Sequence, residues 1–216
     1  MISLTEENYL KALYRLSQEK QEIVVKDIAD SLSIKMPTVN SMVKKLAEKK
    51  FIKYEKYKAI ELTDKGRKQA LTILRKHRLT ELFLTKVMDL GWEEVHDIAE
   101  QIEHIQSDRF FDRVDEMLGH PQFDPHGEPI PDSNGKLPVY KSIPLSEGQL
   151  NKQYKLAGVA NHDPSFLQFL DALHLTLGAT IEIKEIQEFD KSMGVKLNNK
   201  QKTIFSNTVC RNLMVV

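Results

Sequence analysis

Six side chains in the middle of this sequence can bind a divalent cation, and they recur at helical spacing. His77 and Glu81 form an H-x3-E pair, and His96, Glu100, Glu103 and His104 form an H-x3-E-x2-E-H run. An α-helix places residues three, four and seven apart on one face, so each set shares a surface. Imidazole nitrogens beside carboxylate oxygens, with no thiolate among them, suit a divalent transition metal such as manganese or ferrous iron. Catalysis fits less well. A carboxylate-bridged di-iron enzyme needs Glu-x-x-His on each of two helices, and the ligand region does not supply that pair. Nucleophile elbow, Walker loop and dinucleotide fingerprint are also missing.

The elements that must position these residues follow from apolar periodicity. Thr5, with Glu6 and Glu7 behind it, marks a helix start, and Tyr9, Leu10, Leu13, Tyr14 and Leu16 give its buried stripe. Val25 to Leu32 reads as a second helix and Ser33 to Lys35 as a tight turn. Pro37 then sits in the first turn of a third helix, where its missing N–H does no harm. Short β-prone pieces, Phe51 to Glu55 and Ala59 to Leu62, flank Lys56-Tyr57-Lys58. The pattern predicts a helix, a helix-turn-helix and a two-stranded wing. A long helix spans the His77 region, and a further helical run extends from Trp92 to Leu118. Six prolines and three glycines between Gly119 and Pro144 exclude regular structure there. After that linker, a helix at Ser165 to Leu173 and strands at Thr180 to Ile186, Gly194 to Leu197 and Thr203 to Phe205 predict a small barrel. The fold class is mainly α with small β parts. Its divisions are 1–72, 73–136, a linker over 137–152, and 153–216.

The formal net charge is zero over 216 residues, but the charge is segregated. Residues 1–76 hold 17 Lys+Arg against 10 Asp+Glu, a net of +7, which leaves −7 for the rest. A basic front half points to nucleic acid. On the third helix Lys35, Pro37, Thr38, Asn40, Ser41, Lys44 and Lys45 are the candidate contacts. Lysines grip phosphate there, and short polar groups at the helix N-terminus reach base edges in the major groove. Lys56 and Lys58 at the wing tip suit the flanking backbone. One cysteine, Cys210, excludes an intrachain disulfide and is expected in the core. No apolar run reaches the roughly 18 residues of a membrane span, and the acidic start is wrong for a secretory signal. A soluble, cytoplasmic protein is the expectation.

Several stretches resemble the family of the diphtheria toxin repressor and the manganese transport regulator. They are Thr5-Glu6-Glu7-Asn8-Tyr9-Leu10, Asp27-Ile28-Ala29, Pro37-Thr38-Val39, Arg75 to Leu79, Val95-His96-Asp97, Glu103-His104 and Pro125 to Pro131. The resemblance covers nearly all of residues 1–136, and the tail is similar to the family's SH3-like (FeoA-like) third domain. It implies a homodimer that binds a palindromic double-stranded DNA operator when loaded with metal, and it implies control of metal-uptake genes without membrane association. It also groups His77, Glu81 and His96 as one site and Glu100, Glu103 and His104 as another, completed from Asn8. Glu100 stands where iron-type members have cysteine, so the resemblance leans to Mn2+, with Fe2+ the alternative and Zn2+ or Co2+ able to substitute in vitro. Asn8 replaces an aspartate usual in manganese-type members, and Lys11 a glutamate found in some. Asp124, His162 and Asp163 are further candidate ligands that would tie the tail to the first site. The rival readings are an iron-responsive member of the same family, a metalloenzyme, and a metal-binding dimer whose basic face binds nothing specific.

Overall fold

The computed structural model describes residues 2–56 and 58–216; Tyr57, expected at the wing tip, lies outside the described residues. The chain divides into two compact units. The first comprises Met1–His77, Glu100–Arg113 and Pro131–Leu137, and the second Arg78–Ala99, Val114–Ile130 and Pro138–Val216.

In the first unit, helix α1 (Leu4–Glu19) begins ahead of the expected Thr5 because Ser3 is its cap. The Ser3 hydroxyl accepts the Glu6 N–H at 3.3 Å, and Glu6 Oε2 accepts the Ser3 N–H at 2.8 Å. This reciprocal pair satisfies two donors that a helix start leaves open. Helices α2 (Val25–Leu32) and α3 (Met36–Glu48) match their predicted positions. Ser33, in the left-handed region at φ 53°, makes the turn between them. Leu10, Leu13, Ile28, Val39, Val43 and Leu46 are sealed from solvent and lock the three helices together. Full burial of each such side chain is worth about 1.5–3 kcal/mol.

The wing is shorter than its β-prone sequence. Strand β1 (Ile52–Lys53) pairs antiparallel with β2 (Glu61–Leu62), through Ile52 opposite Leu62 and Lys53 opposite Glu61. Ile60 instead donates its N–H to the carbonyl of Ile23 at 2.8 Å, which takes it out of the ladder.

Helix α4 (Asp64–Met88) is one continuous element. The run expected from Trp92 to Leu118 is broken into α5 (Val95–Ile102) and α6 (Asp108–Met117). Ser107 is the physical reason: its hydroxyl accepts the Phe110 N–H at 3.3 Å and starts a new helix, with Asp108 in the first turn. Glu103 and His104 therefore lie in the connection rather than on a helix.

In the second unit, Leu79, Leu82, Val114 and Ile130 form a small cluster. The proline-rich segment beside it contains no helix, yet it is ordered by its own side chains. Asp124 Oδ1 accepts the N–H groups of His126 and Glu128, each at 2.9 Å. Gly127 turns at φ +85°, and a Cβ there would stand 2.0 Å from the Ala157 carbonyl oxygen, so only glycine lets this turn close. The rest of the unit is a six-stranded antiparallel sheet. Its strands are β3 (Ile143–Pro144), β4 (Gln153–Val159), β5 (Thr180–Ile186), β6 (Met193–Leu197), β7 (Gln201–Phe205) and β8 (Leu213–Val215), in the order β3-β8-β4-β5-β6-β7. Helices α7 (Pro164–Ala172) and α8 (Asn207–Asn212) complete it. The sheet takes in residues from 143, ten ahead of the expected start at 153. A two-residue strand containing proline has no alternation to read, and its pairing with β8 appears only in three dimensions. Cys210 is fully buried, and burial pushes its thiol up to about 11, so it is an inert core residue.

Candidate metal centre

Each unit contains a cluster of ligand-type side chains. In the first unit Glu103 is the hub, and it is completely buried. His77 on α4 approaches it with Nδ1 2.6 Å from Oε2. Lys11 on α1 lies with Nζ 2.8 and 2.9 Å from the two Glu103 oxygens and 2.5 Å from Glu100 Oε1. His104 Nε2 is 3.7 Å from Glu103 Oε1, and its Nδ1 is 2.6 Å from Glu7 Oε2. Gln106 donates to the other Glu7 oxygen at 3.1 Å. His77, Glu100 and Glu103 each offer an atom within 4.8 Å of the others. His77, which spacing groups with Glu81, thus also meets the Glu103 set.

The family resemblance implies an α1 contribution from Asn8. The His104 contact comes instead from Glu7, one residue earlier. The Asn8 amide oxygen is buried and has no hydrogen-bond partner. Such an atom is costly to leave unpaired and fits a coordinating oxygen.

In the second unit the hub is Glu81, one helical turn after His77 on α4. His96 Nδ1 lies 3.2 Å from Glu81 Oε1, and His126 Nδ1 3.8 Å from Glu81 Oε2. Glu81, Asp124 and His126 are all buried and converge within 4.8 Å. His126 carries no ligand spacing in the sequence, being one histidine among prolines. Its Nε2–H donates to the Trp92 carbonyl at 3.0 Å, so in the neutral ring the lone pair is on the buried Nδ1. That Nδ1 and Asp124 Oδ2 are both buried without a hydrogen-bond partner. The donor set therefore fits a divalent cation: nitrogen and oxygen atoms, no sulfur, and two buried atoms without hydrogen-bond partners.

The electrostatics agree. Burial, with Glu128 and Glu81 adding repulsion, holds the Asp124 carboxyl well above the usual carboxylate range, and Arg78 only partly offsets this. Burial pulls His126 down, but the Glu81 and Asp124 carboxylates outweigh it and raise its pKa. Arg78 also anchors the turn, donating to Glu128 Oε2 at 2.7 Å and to the Pro129 carbonyl at 2.5 Å. His162 stacks on His126 with ring centroids 4.5 Å apart. Asp163 does not join this cluster. It is exposed and caps α7 by accepting the Ser165 N–H at 2.9 Å.

On α3, Lys35, Pro37, Thr38, Ser41, Lys44 and Lys45 are exposed and Asn40 is half-buried. Lys45 also approaches Glu6 at 3.2 Å, so part of its charge is held inward. Lys56 and Lys58 are exposed on the wing, where Lys58 pairs with Glu55.

A winged helix with an exposed basic helix, followed by helices bearing histidine–carboxylate clusters, defines a DNA-binding architecture combined with metal-ligand sites. Comparisons with known proteins make this particular. Residues 1–60 match the iron dependent repressor N-terminal DNA binding domain, residues 63–132 the iron dependent repressor metal binding and dimerisation domain, and residues 143–216 the FeoA domain. The transcriptional regulator MntR of Bacillus pumilus is 35% identical over 112 residues, covering 52% of this chain and 77% of that protein. The iron-dependent repressor IdeR of Mycobacterium bovis is 37% identical over 127 residues, 59% of this chain and 55% of its own length. A solved manganese-dependent transcriptional repressor in complex with manganese is 30% identical, with a TM-score of 0.89 over 98% of this chain and 99% of that one. The chain belongs to this family of iron- and manganese-dependent transcriptional repressors. It spans about half the length of the mycobacterial relative. The mycobacterial relative and the solved structure are named as repressors, and MntR as a transcriptional regulator. Among the described residues no helix is long and apolar enough to cross a membrane.

Proposed function

We propose that this protein is a cytoplasmic, metal-dependent transcriptional repressor. It binds a palindromic DNA operator as a homodimer when loaded with Mn2+, and it controls metal-uptake genes. The observation that carries the reading is the contact, inside the first unit, between α1 and the Glu100–His104 segment. Glu7 and Lys11 project from α1, a helix packed with α2 and α3. Residues that grip α1 therefore also fix where the basic helix α3 stands.

Glu100, Glu103 and His104, with Asn8 or Glu7 from α1, would hold one ion. Glu81, Asp124 and His126, with His96, would hold the other. When bound, the metal supplies the positive charge that links carboxylates and imidazoles of separate segments. His126 is oriented by Trp92, Asp124 by its own turn, and Glu103 by burial, so the donors are arranged beforehand. In a homodimer, two copies of α3 must meet successive major grooves about 34 Å apart or a multiple of that. Metal then acts by favouring the arrangement with that spacing, through a coupling of about 1–3 kcal/mol. The oxygen donor at Glu100 supports Mn2+; the iron named for the mycobacterial relative supports Fe2+ as the second reading.

The test is operator binding by fluorescence anisotropy with chelated, Mn2+-, Fe2+- and Zn2+-loaded protein. Tighter operator binding with Mn2+ than with chelator, and weaker binding to random DNA, is the expected result. Glu103→Ala with His104→Ala removes the metal response while leaving a folded dimer. Equal affinity with and without metal would overturn the reading.

A further inference from the structure

We propose that Lys11 is an intramolecular competitor for metal at the Glu100–Glu103 cluster, and so sets the metal concentration at which that cluster fills. The inference rests on the metal-centre reading but not on DNA binding. The Lys11 ammonium sits 2.5 Å from Glu100 and 2.8 and 2.9 Å from both Glu103 oxygens. Those two carboxylates, with His77, are also the atoms that converge within 4.8 Å as metal ligands. Ammonium and metal therefore claim the same oxygens. The Lys11 side chain is only 19% exposed and Glu103 is sealed, so solvent screens the pair weakly. Lys11 lies one helical turn after Glu7, whose bond to His104 holds α1 beside the cluster. The competitor is thus tethered at high local concentration, whatever the state of the surrounding solution.

The two cations are not equivalent. The Lys11 ammonium donates hydrogen bonds to the Glu100 and Glu103 oxygens but forms no coordinate bond to a carboxylate or an imidazole. A metal ion engages the carboxylates and the imidazoles of His77 or His104 together. Metal therefore displaces Lys11 above a threshold, and Lys11 raises that threshold.

Calorimetric Mn2+ titration of the full chain tests this, reading the binding step that Glu103→Ala abolishes. Lys11→Met and Lys11→Gln should each tighten that step by about ten-fold or more. Unchanged or weaker binding in both variants would overturn the proposal. A measurement on the unaltered protein guards against misfolded variants. Acetylation of Lys11 by acetic anhydride, followed by mass spectrometry, should rise several-fold on Mn2+ saturation, while that of Lys44 does not. Lys11 labelling that ignores Mn2+ would also overturn it. If Mn2+ frees Lys11 but leaves operator affinity unchanged, the competitor stands and the repressor reading falls. If Mn2+ tightens operator binding but leaves Lys11 labelling unchanged, the repressor reading stands and the competitor falls.

Discussion

The two clusters use the same donor chemistry but differ in how their charge is balanced. In the first unit buried Glu103 and half-buried Glu100 are matched by Lys11, and nearby buried Glu6 by Lys49 at 2.7 Å and Lys45 at 3.2 Å. In the second unit Arg78 turns mainly to Glu128 and stands 3.6 Å from Asp124, while Asp124 Oδ2 and His126 Nδ1 lack hydrogen-bond partners. A matched acid stabilises the fold as it stands. An unmatched one stabilises little until a cation arrives, because its burial opposes its charge. The first cluster thus resists metal, and the second is arranged to receive it.

The strongest way to break this contrast is at Asp124. Asp124→Asn keeps the oxygen that accepts the two turn N–H groups but removes the charge. Mn2+ affinity of the second-unit cluster should fall by about 100-fold, read by calorimetry. The metal-free variant should melt no lower than the parent at pH 8. Asp124 has a raised pKa in the fold, so its ionised form opposes folding above its unfolded value. A variant that binds metal normally, or that melts lower without metal, would dissolve the contrast.

Glu6 probes the opposite case. It is fully buried, and although burial raises its pKa, Lys49, the Ser3 N–H and Lys45 outweigh this and hold it at about 2. Its folded pKa lies below the ordinary 4.5, so its contribution is complete above that value and disappears as pH falls toward 2. Glu6→Gln should cost about 2–3 kcal/mol at pH 7 in urea denaturation, shrinking to about a quarter of that by pH 2.5. A loss that does not depend on pH would mean that the cap rather than the charge matters.

The smallest effect separates lysines held by acids from lysines that face solvent. Lys44 is exposed on α3, whereas Lys45 is drawn to Glu6. Lys44→Ala should lower the slope of log affinity against log salt by about one, with little change in base preference. Lys45→Ala should lower it less. Equal slopes for the two would show that the Glu6 contact leaves Lys45 wholly available.

Much of the architecture was legible in the sequence. Apolar periodicity placed α2 and the strand Thr180–Ile186 at their observed limits, and Pro37 marked the start of α3. The errors lay where short-range chemistry competes with periodicity. Ser3 with Glu6 moved the first cap, Ser107 broke the long run before α6, and proline hid β3. Asp163, a candidate ligand in the sequence, caps a helix in the structure, a use that sequence position alone cannot distinguish from ligation.

The sequence by itself determined which residue types were available and which shared a helical face. His77 with Glu81, and His96 with Glu100, follow from a 3.6-residue period that every α-helix imposes. Only the tertiary structure decided the partners. Glu7 meets His104 across 97 positions and Lys11 meets Glu103 across 92. His126 joins Glu81 from a segment with no periodicity at all. Backbone hydrogen bonding fixes local spacing, but contacts so distant along the chain depend on how buried faces pack, and one residue of difference in that packing separates Glu7 from Asn8.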